Sequence, residues 1–365
     1  MPFEHGSISL RLLYLPRDLP ADAVEAFARH AAPPLETLGA GEIHGWVTGR
    51  HLLDRKITRE TARFAGFLRL SLMQAERRIP PALFRAECRI QELARMQASG
   101  TDRLPPKARL EIRQEVADRL LPQMPPTLRG IHMLHRPGSR ILYTTAISER
   151  QLEAFQIGFS RAIGFAGIPL SADTASLQRR RKSIRDWPPV SFSPRVNPEA
   201  VAQDPGLDFL TWLWFFSEAR GGIADFGDRG RWAVSVEGPF TFVMEGAGAH
   251  ETVVRRGEPR FSAEAKAALL SGKKLRRAKV TLARGEQVWS FSIDAATFVF
   301  RGLRLPEGER LDAASRFEER MDRLDEGVEA FLSFFDRFAD ERESSDWTET
   351  LGEIRHWMET RTTRD

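Results

Sequence analysis

From Ile8 to Leu15 a short apolar run interrupted by Arg11 predicts a strand, and Ala21 to Ala31 predicts a helix that starts near Asp18 or Pro20 and stops before Pro33-Pro34. Gly45-Trp46-Val47 predicts a turn-rich patch. Phe64 to Met73 returns to period two, with Leu68, Leu70 and Leu72 on one face and Arg69 and Ser71 on the other. Pro80-Pro81 introduces a helix to about Met96. Pro105-Pro106 introduces a second, whose Ile112, Val116 and Leu120 form one apolar stripe ending at Leu121-Pro122. Strands at Gly130 to His135 and Ile141 to Thr145 flank a turn at Arg136-Pro137-Gly138-Ser139, and a helix is predicted from Glu149 to Ile163. This alternation predicts an α+β fold with mixed antiparallel sheets and long helices.

Ser171 to Pro205 breaks the pattern: the run Arg179-Arg180-Arg181-Lys182, several prolines and little apolar periodicity predict a basic linker. Beyond it, Leu207 to Glu218 is a helix whose Phe209, Trp212, Trp214, Phe215 and Phe216 cover more than one face and require burial on several sides. Two strands, Arg231 to Val236 and Phe240 to Met244, are predicted to turn about Gly238-Pro239. Ser262 caps a short helix ending at Gly272. A hairpin, Lys273 to Leu282 and Gln287 to Ile293, follows, with a third strand at Thr297 to Arg301. From Leu311 to Phe338 the residues Phe317, Met321, Leu324, Val328, Phe331, Phe335 and Phe338 step alternately by four and three, a heptad seam that suits packing on the body, packing on a second subunit or a coiled coil. The boundaries that follow are 1–172 for an N-terminal region, 173–206 for the linker, 207–306 for a C-terminal region and 307–365 for a helical tail.

Composition adds compartment and charge. A chain of 365 residues with 42% hydrophobic content can bury a substantial core. A single cysteine, Cys88, leaves no intrachain disulfide and points to a reducing cytoplasm, with the thiol as a small apolar group. The first residues do not read as a signal peptide, and the most apolar stretch, Phe209 to Phe216, is far below the roughly 20 residues of a membrane span. The net charge of +4 conceals a division: the last 59 residues carry 18 Asp/Glu against 9 Lys/Arg, and the first 306 carry 45 Lys/Arg against 32 Asp/Glu. A basic body is the footprint of a polyanion binder, and the acidic tail is expected on an outer surface, where it would turn such a ligand away.

Motifs for catalysis are missing. The sequence has no His-Glu-x-x-His, no zinc-spaced cysteine pair and no Gly-x-Ser-x-Gly, and His132 and His135 fall on opposite faces of a predicted strand. Gly246-Ala247-Gly248 lacks the third glycine of a dinucleotide loop, and Gly272-Lys273 sits in the wrong surroundings for a P-loop. No enzyme activity, metal or cofactor is therefore expected. The cations are more orderly. Lys273, Arg277 and Lys279 lie on one face of a predicted strand, about 7 and 13 Å apart by strand rise, with no acidic residue between Lys273 and Arg284. Arg255, Arg256 and Arg260 precede the Ser262 helix, and Arg109 and Arg113 stand one turn apart after Pro106. Trp289 and Phe291 read as core rather than as stacking platforms, which favours duplex over single strand.

The order of these features resembles the RdgC family of bacterial recombination-associated proteins. Gly45-Trp46-Val47, the charged helical stretch ending in Leu120-Leu121-Pro122, the hairpin after it and Ile168-Pro169-Leu170-Ser171 carry the likeness over about 8–172. The Leu207 helix, Arg255-Arg256, Ser262-Ala263-Glu264, Gly272-Lys273, the hairpin and the last helix carry it over 207–338. The resemblance implies an elongated subunit, a homodimer closed into a ring, a basic hole that takes double-stranded DNA without sequence preference, and restraint of RecA-type recombinase, in the cytoplasm at the nucleoid. By position it implies DNA contacts near Arg103 and Lys107 and at Arg255 and Arg256. Where the family has a basic residue and an aromatic after Leu-Leu-Pro, this chain has Gln123 and Pro125. Two other readings stand beside it: a metal-dependent nuclease using the abundant carboxylates, and a scaffold that binds protein through the heptad helix.

Overall fold

The computed structural model describes residues 2–39, 41–198, 203–244, 250–255, 258–308 and 312–361; Arg256, Gly246-Ala247-Gly248 and Leu311 lie outside them. The first half runs β1 (Ile8–Tyr14), α1 (Ala23–Arg29), β2 (Glu42–Thr48), β3 (Arg63–Phe64), β4 (Phe67–Arg77), α2 (Pro81–Ser99), α3 (Pro106–Leu120), β5 (Pro126–His135), β6 (Ile141–Thr144), α4 (Glu149–Ile163), β7 (Ile168–Pro169) and α5 (Ala172–Arg180). The second runs α6 (Pro205–Ala219), β8 (Ile223–Asp225), β9 (Arg231–Met244), β10 (His250–Val254), α7 (Ala263–Leu270), β11 (Lys274–Arg284), β12 (Gln287–Asp294), β13 (Val299–Arg304), α8 (Ala313–Glu343) and α9 (Trp347–Thr360).

One antiparallel sheet spans both halves in the order β10-β9-β11-β12-β13-β1-β6-β5-β4-β2. β1 is the join. Its start pairs with β13 (Ile8 with Leu303, Leu10 with Phe300) and its end with β6 (Arg11 with Thr144 through Tyr14 with Ile141). Because side chains alternate across a strand, Leu10 and Leu12 enter the large core under α6 and α8, while Leu13 enters the core under α1 and α4. Arg11 shares the second face, buried, and donates to Glu149 in the first turn of α4 at 2.7 Å.

Gly45-Trp46-Val47 is strand, not turn. Gly45 is required by close approach: a Cβ there would collide with the backbone of Ala32, where the chain leaving α1 runs beside β2. Trp46 then fills the core under α4, its ring edge-on to Phe27 and its indole N–H donating to Gly158 O. The predicted turn at Gly238-Pro239 is also absent. β9 continues through it, because Thr241 pairs with Arg277 and Glu237 with Lys279, so Gly238 to Phe240 bulge opposite the single residue Ala278.

The heptad seam is buried against this chain's own body. Phe317 packs edge-on against Phe64 and Phe67 of the first half, and Phe331 packs against Phe209, Phe291, Phe298 and Phe300 of the second. α8 therefore fastens the two halves of the sheet together, and its seam is closed to a second protein. The segment expected to be a basic linker is packed as well. α5 is capped by Ser171, whose hydroxyl accepts from Thr174 N, and Ile184, Val190 and Phe192 beyond it enter the main core. Its apolar residues are spaced too irregularly to show a period, yet each of these three is buried.

Candidate nucleic-acid interface

α2 and α3 form an antiparallel hairpin between β4 and β5. Prolines at the first turn of each helix supply the fixed φ and lose no helical hydrogen bond, and Gly100, at φ 64°, closes α2. The hairpin has its own small core of Cys88, Leu104, Ile112, Val116 and Leu120. Burial there pushes the Cys88 thiol up, against the pull of nearby Arg113. Arg95 bridges to Glu111 and Glu115, and Arg119 to Glu87 at 2.5 Å, which joins the two helices on one side.

These bridges tie Glu87, Glu111 and Glu115 to Arg95 and Arg119, Glu92 pairs with Arg89, and the predicted site cations remain outside them. Arg103 in the connection and Lys107, Arg109 and Arg113 on α3 are exposed, and none forms an ion pair with a described residue. Exposed guanidinium and ammonium groups without an internal acid keep their full attraction for phosphate. The geometry thus gathers four of the predicted residues on one projecting element.

The β11 cluster differs. Arg277 Nε donates to Asp294 Oδ2 at 2.7 Å, and Lys279 Nζ donates to Glu237 Oε2 at 3.2 Å. Lys273 lies just before the strand and donates to Thr252 Oγ1 at 2.6 Å, off the alternation of Arg277 and Lys279. The acids stand directly opposite on the neighbouring strands β9 and β12, so the acid-free run from Lys273 to Arg284 is not acid-free in space. Lys274 is fully committed inside, 2.5 Å from Asp208, whose carboxyl is pushed up to about 6 by burial despite the lysine.

Near α7, Arg255 is exposed at the end of β10. The Arg260 guanidinium stacks over Phe261, 4.7 Å from the ring centroid, and the Arg260 carbonyl accepts from Arg361. His132 and His135 hold ordinary strand positions: His132 Nδ1 lies 2.7 Å from Ser71 Oγ and His135 Nε2 lies 2.9 Å from Ser139 O.

The acidic tail is divided: Glu318, Asp346, Glu349 and Glu359 are exposed and form no ion pair with a described residue, whereas many of its other acids are tied to the body. Arg179 is clamped bidentately by Glu329 at 2.8 Å and also by Asp336; Arg180 takes Asp340 and Glu343, and Lys182 takes Glu343. Arg284 pairs with Glu326, Arg136 with Asp322 and Asp325, and Arg220 with Glu341 and Glu353. These pairs neutralise part of the tail and part of the body within the monomer, so the basic excess of the first 306 residues overstates what is open to a ligand.

An apolar stripe on α2 carries no charge signature. Leu83, Ile90 and Leu93 are 37%, 58% and 49% exposed, and with Ala86 between them they step by three and four along one face. That spacing, on a helix whose opposite face holds the hairpin core, is the sequence signal that marks it.

No protein-family model matches this chain, and no curated protein matches it. Among the described residues no helix is long and apolar enough to cross a membrane.

Proposed function

We propose that this chain is a sequence-nonspecific binder of double-stranded DNA that acts as an RdgC-like ring-shaped homodimer and restrains a RecA-type recombinase at the nucleoid. The observation that carries the reading is the exposed, internally uncompensated set Arg103, Lys107, Arg109 and Arg113 on the α2–α3 hairpin. These side chains contact phosphates and release counterions, which gives affinity without base discrimination. Arg255 and Arg260, beside β10 at the opposite end of the sheet order from the hairpin, would make a separate set of phosphate contacts, and Arg277 and Lys279 contribute less because Asp294 and Glu237 already hold them. The apolar stripe of Leu83, Ile90 and Leu93 supports self-association, since a copy of the same stripe is its natural cover. Antagonism of a recombinase is what the family resemblance adds to this surface.

The direct test is anisotropy of unrelated labelled duplexes across a salt series, with linear and nicked circular duplex compared by dissociation rate. Equal affinities, a steep salt slope and slower loss from the circle support the reading. Affinity for one sequence alone, or no duplex binding at low salt, overturns it.

A further inference from the structure

At the join between β13, the residues before β1 and the first turns of α8 lies a cavity of about 570 Å³ lined by four arginines, Arg304, Arg316, Arg320 and Arg323, and by the carboxylates Glu307 and Glu319 as well as Glu4. Its size is that of a small-ligand site. Of the four, Arg323 is neutralised by Glu319 at 2.6 Å. The other three form no ion pair with a described residue. Arg320 is instead fixed by backbone: its guanidinium donates to Phe3 O at 3.0 Å and to Gly6 O, so it is positioned while its charge stays uncompensated. Burial without a carboxylate lowers its pKa, in keeping with that arrangement. Arg304 and Arg316 are exposed at the rim. Three guanidinium groups around one cavity suit the several oxygens of a phosphate monoester better than a single carboxylate.

A second cavity of about 340 Å³ adjoins it and shares Glu4, His5 and Arg316. Its wall is aromatic. Phe64 and Phe317 line it, and the Arg69 guanidinium, held by Glu4, stacks 4.8 Å from the Phe64 centroid. Phe317 is buried behind this wall, so the half-buried Phe64 ring and the Arg69 guanidinium stacked on it are the planar groups that would meet a nucleobase, while the shared Glu4 and His5 join this cavity to the arginine-lined one. We infer that the paired cavities form a site for a nucleoside 5′-phosphate, with the phosphate at Arg304, Arg316 and Arg320 and the base against Phe64 and Arg69. Two sources share this chemistry: a free mononucleotide and the 5′ end of a DNA strand. The site lies on the β1–β13 join, apart from the α2–α3 hairpin, and does not depend on duplex binding.

Calorimetric titration of the full chain with AMP, adenosine and inorganic phosphate, in the absence of duplex, tests this. AMP is expected to bind saturably, at least about tenfold more tightly than adenosine or phosphate alone. The double variant Arg304→Gln, Arg316→Gln removes two exposed side chains, so it should keep the wild-type melting temperature and lose AMP affinity by about tenfold or more. No saturable AMP binding, adenosine binding as well as AMP, or an unchanged affinity in the folded double variant overturns the site. Displacement of AMP by a 5′-phosphorylated oligonucleotide but not by its 5′-hydroxyl form assigns the site to a strand end; no displacement by either assigns it to a free nucleotide.

Discussion

Trp289 occupies the space that a side chain at Gly327 would need: a Cβ built on Gly327 would lie 2.5 Å from Trp289 Cδ1. The same indole donates its N–H to Arg323 O at 2.7 Å, one turn earlier in α8. A glycine inside a helix ordinarily costs about 1 kcal/mol relative to alanine, so Gly→Ala should stabilise an unconstrained site. Here the sign reverses. Gly327→Ala is expected to destabilise by about 1–3 kcal/mol through overpacking, read as a lower urea midpoint; a raised midpoint would show that the indole can yield.

Arg179 is the centre of the junction between α5 and α8. Its side chain is 13% exposed and is bonded to Glu329 and Asp336; burial disfavours its charge, yet these carboxylates hold its pKa above the ordinary arginine value. Arg179→Ala leaves two carboxylates facing each other and should cost about 2–3 kcal/mol, below the full cost of a completely buried pair because Glu329 is partly solvated and also meets Arg229. Adding Glu329→Gln to Arg179→Ala should recover part of that loss. Strict additivity in the double-mutant cycle would contradict the coupling.

Burial, with Arg69 adding to it, holds His132 down at about 4 from a reference of 6.5. A depressed pKa means that the folded state disfavours the imidazolium, so the associated stability is present above 6.5 and is lost as pH falls toward 4. The limiting slope is about 1.4 kcal/mol per pH unit. His135 shifts in the same direction, and Asp208, raised to about 6 by burial, acts oppositely because it favours protonation of the folded state. The difference between wild type and His132→Asn isolates the histidine. Urea midpoints from pH 7 to 4.5 should fall less steeply in the variant, and parallel curves would refute the assignment.

Ile90, 58% exposed at the middle of the α2 stripe, reports on self-association. Ile90→Glu should lower the dimer fraction in sedimentation equilibrium while leaving the melting of the monomer nearly unchanged, since the side chain lies outside the hairpin core. A wild-type chain that sediments as a monomer at all concentrations, or a variant that dimerises equally well, would remove the stripe from the interface.

Periodic segments are legible from sequence because their own residues decide them. The helix predicted at Glu149 to Ile163 begins where Ser148 caps it and ends where Gly164 turns left-handed, and every residue of the α8 seam is buried. Features that depend on distant partners are not legible. Gly45 reads as a turn residue until the backbone of Ala32 is placed beside it, and Arg277 reads as a free cation until Asp294 is set opposite. The charge division misleads in the same way: nothing local reveals that Arg179 meets Glu329, 150 residues onward. Arg103, Lys107, Arg109 and Arg113 are exposed and form no ion pair with a described residue, on a hairpin built from local packing.

Duplex binding on that hairpin is tested most directly by the salt dependence of duplex affinity. Three proteins are compared: wild type, the combined variant Arg103→Ala, Lys107→Ala, Arg109→Ala, Arg113→Ala, and the combined variant Arg277→Ala, Lys279→Ala. The hairpin variant is expected to bind unrelated duplexes equally more weakly, and to reduce the slope of log K against log salt by roughly one for each phosphate-binding cation removed. The β11 pair should have a smaller effect. A hairpin variant that retains wild-type affinity and slope would contradict the placement of the interface on α2–α3.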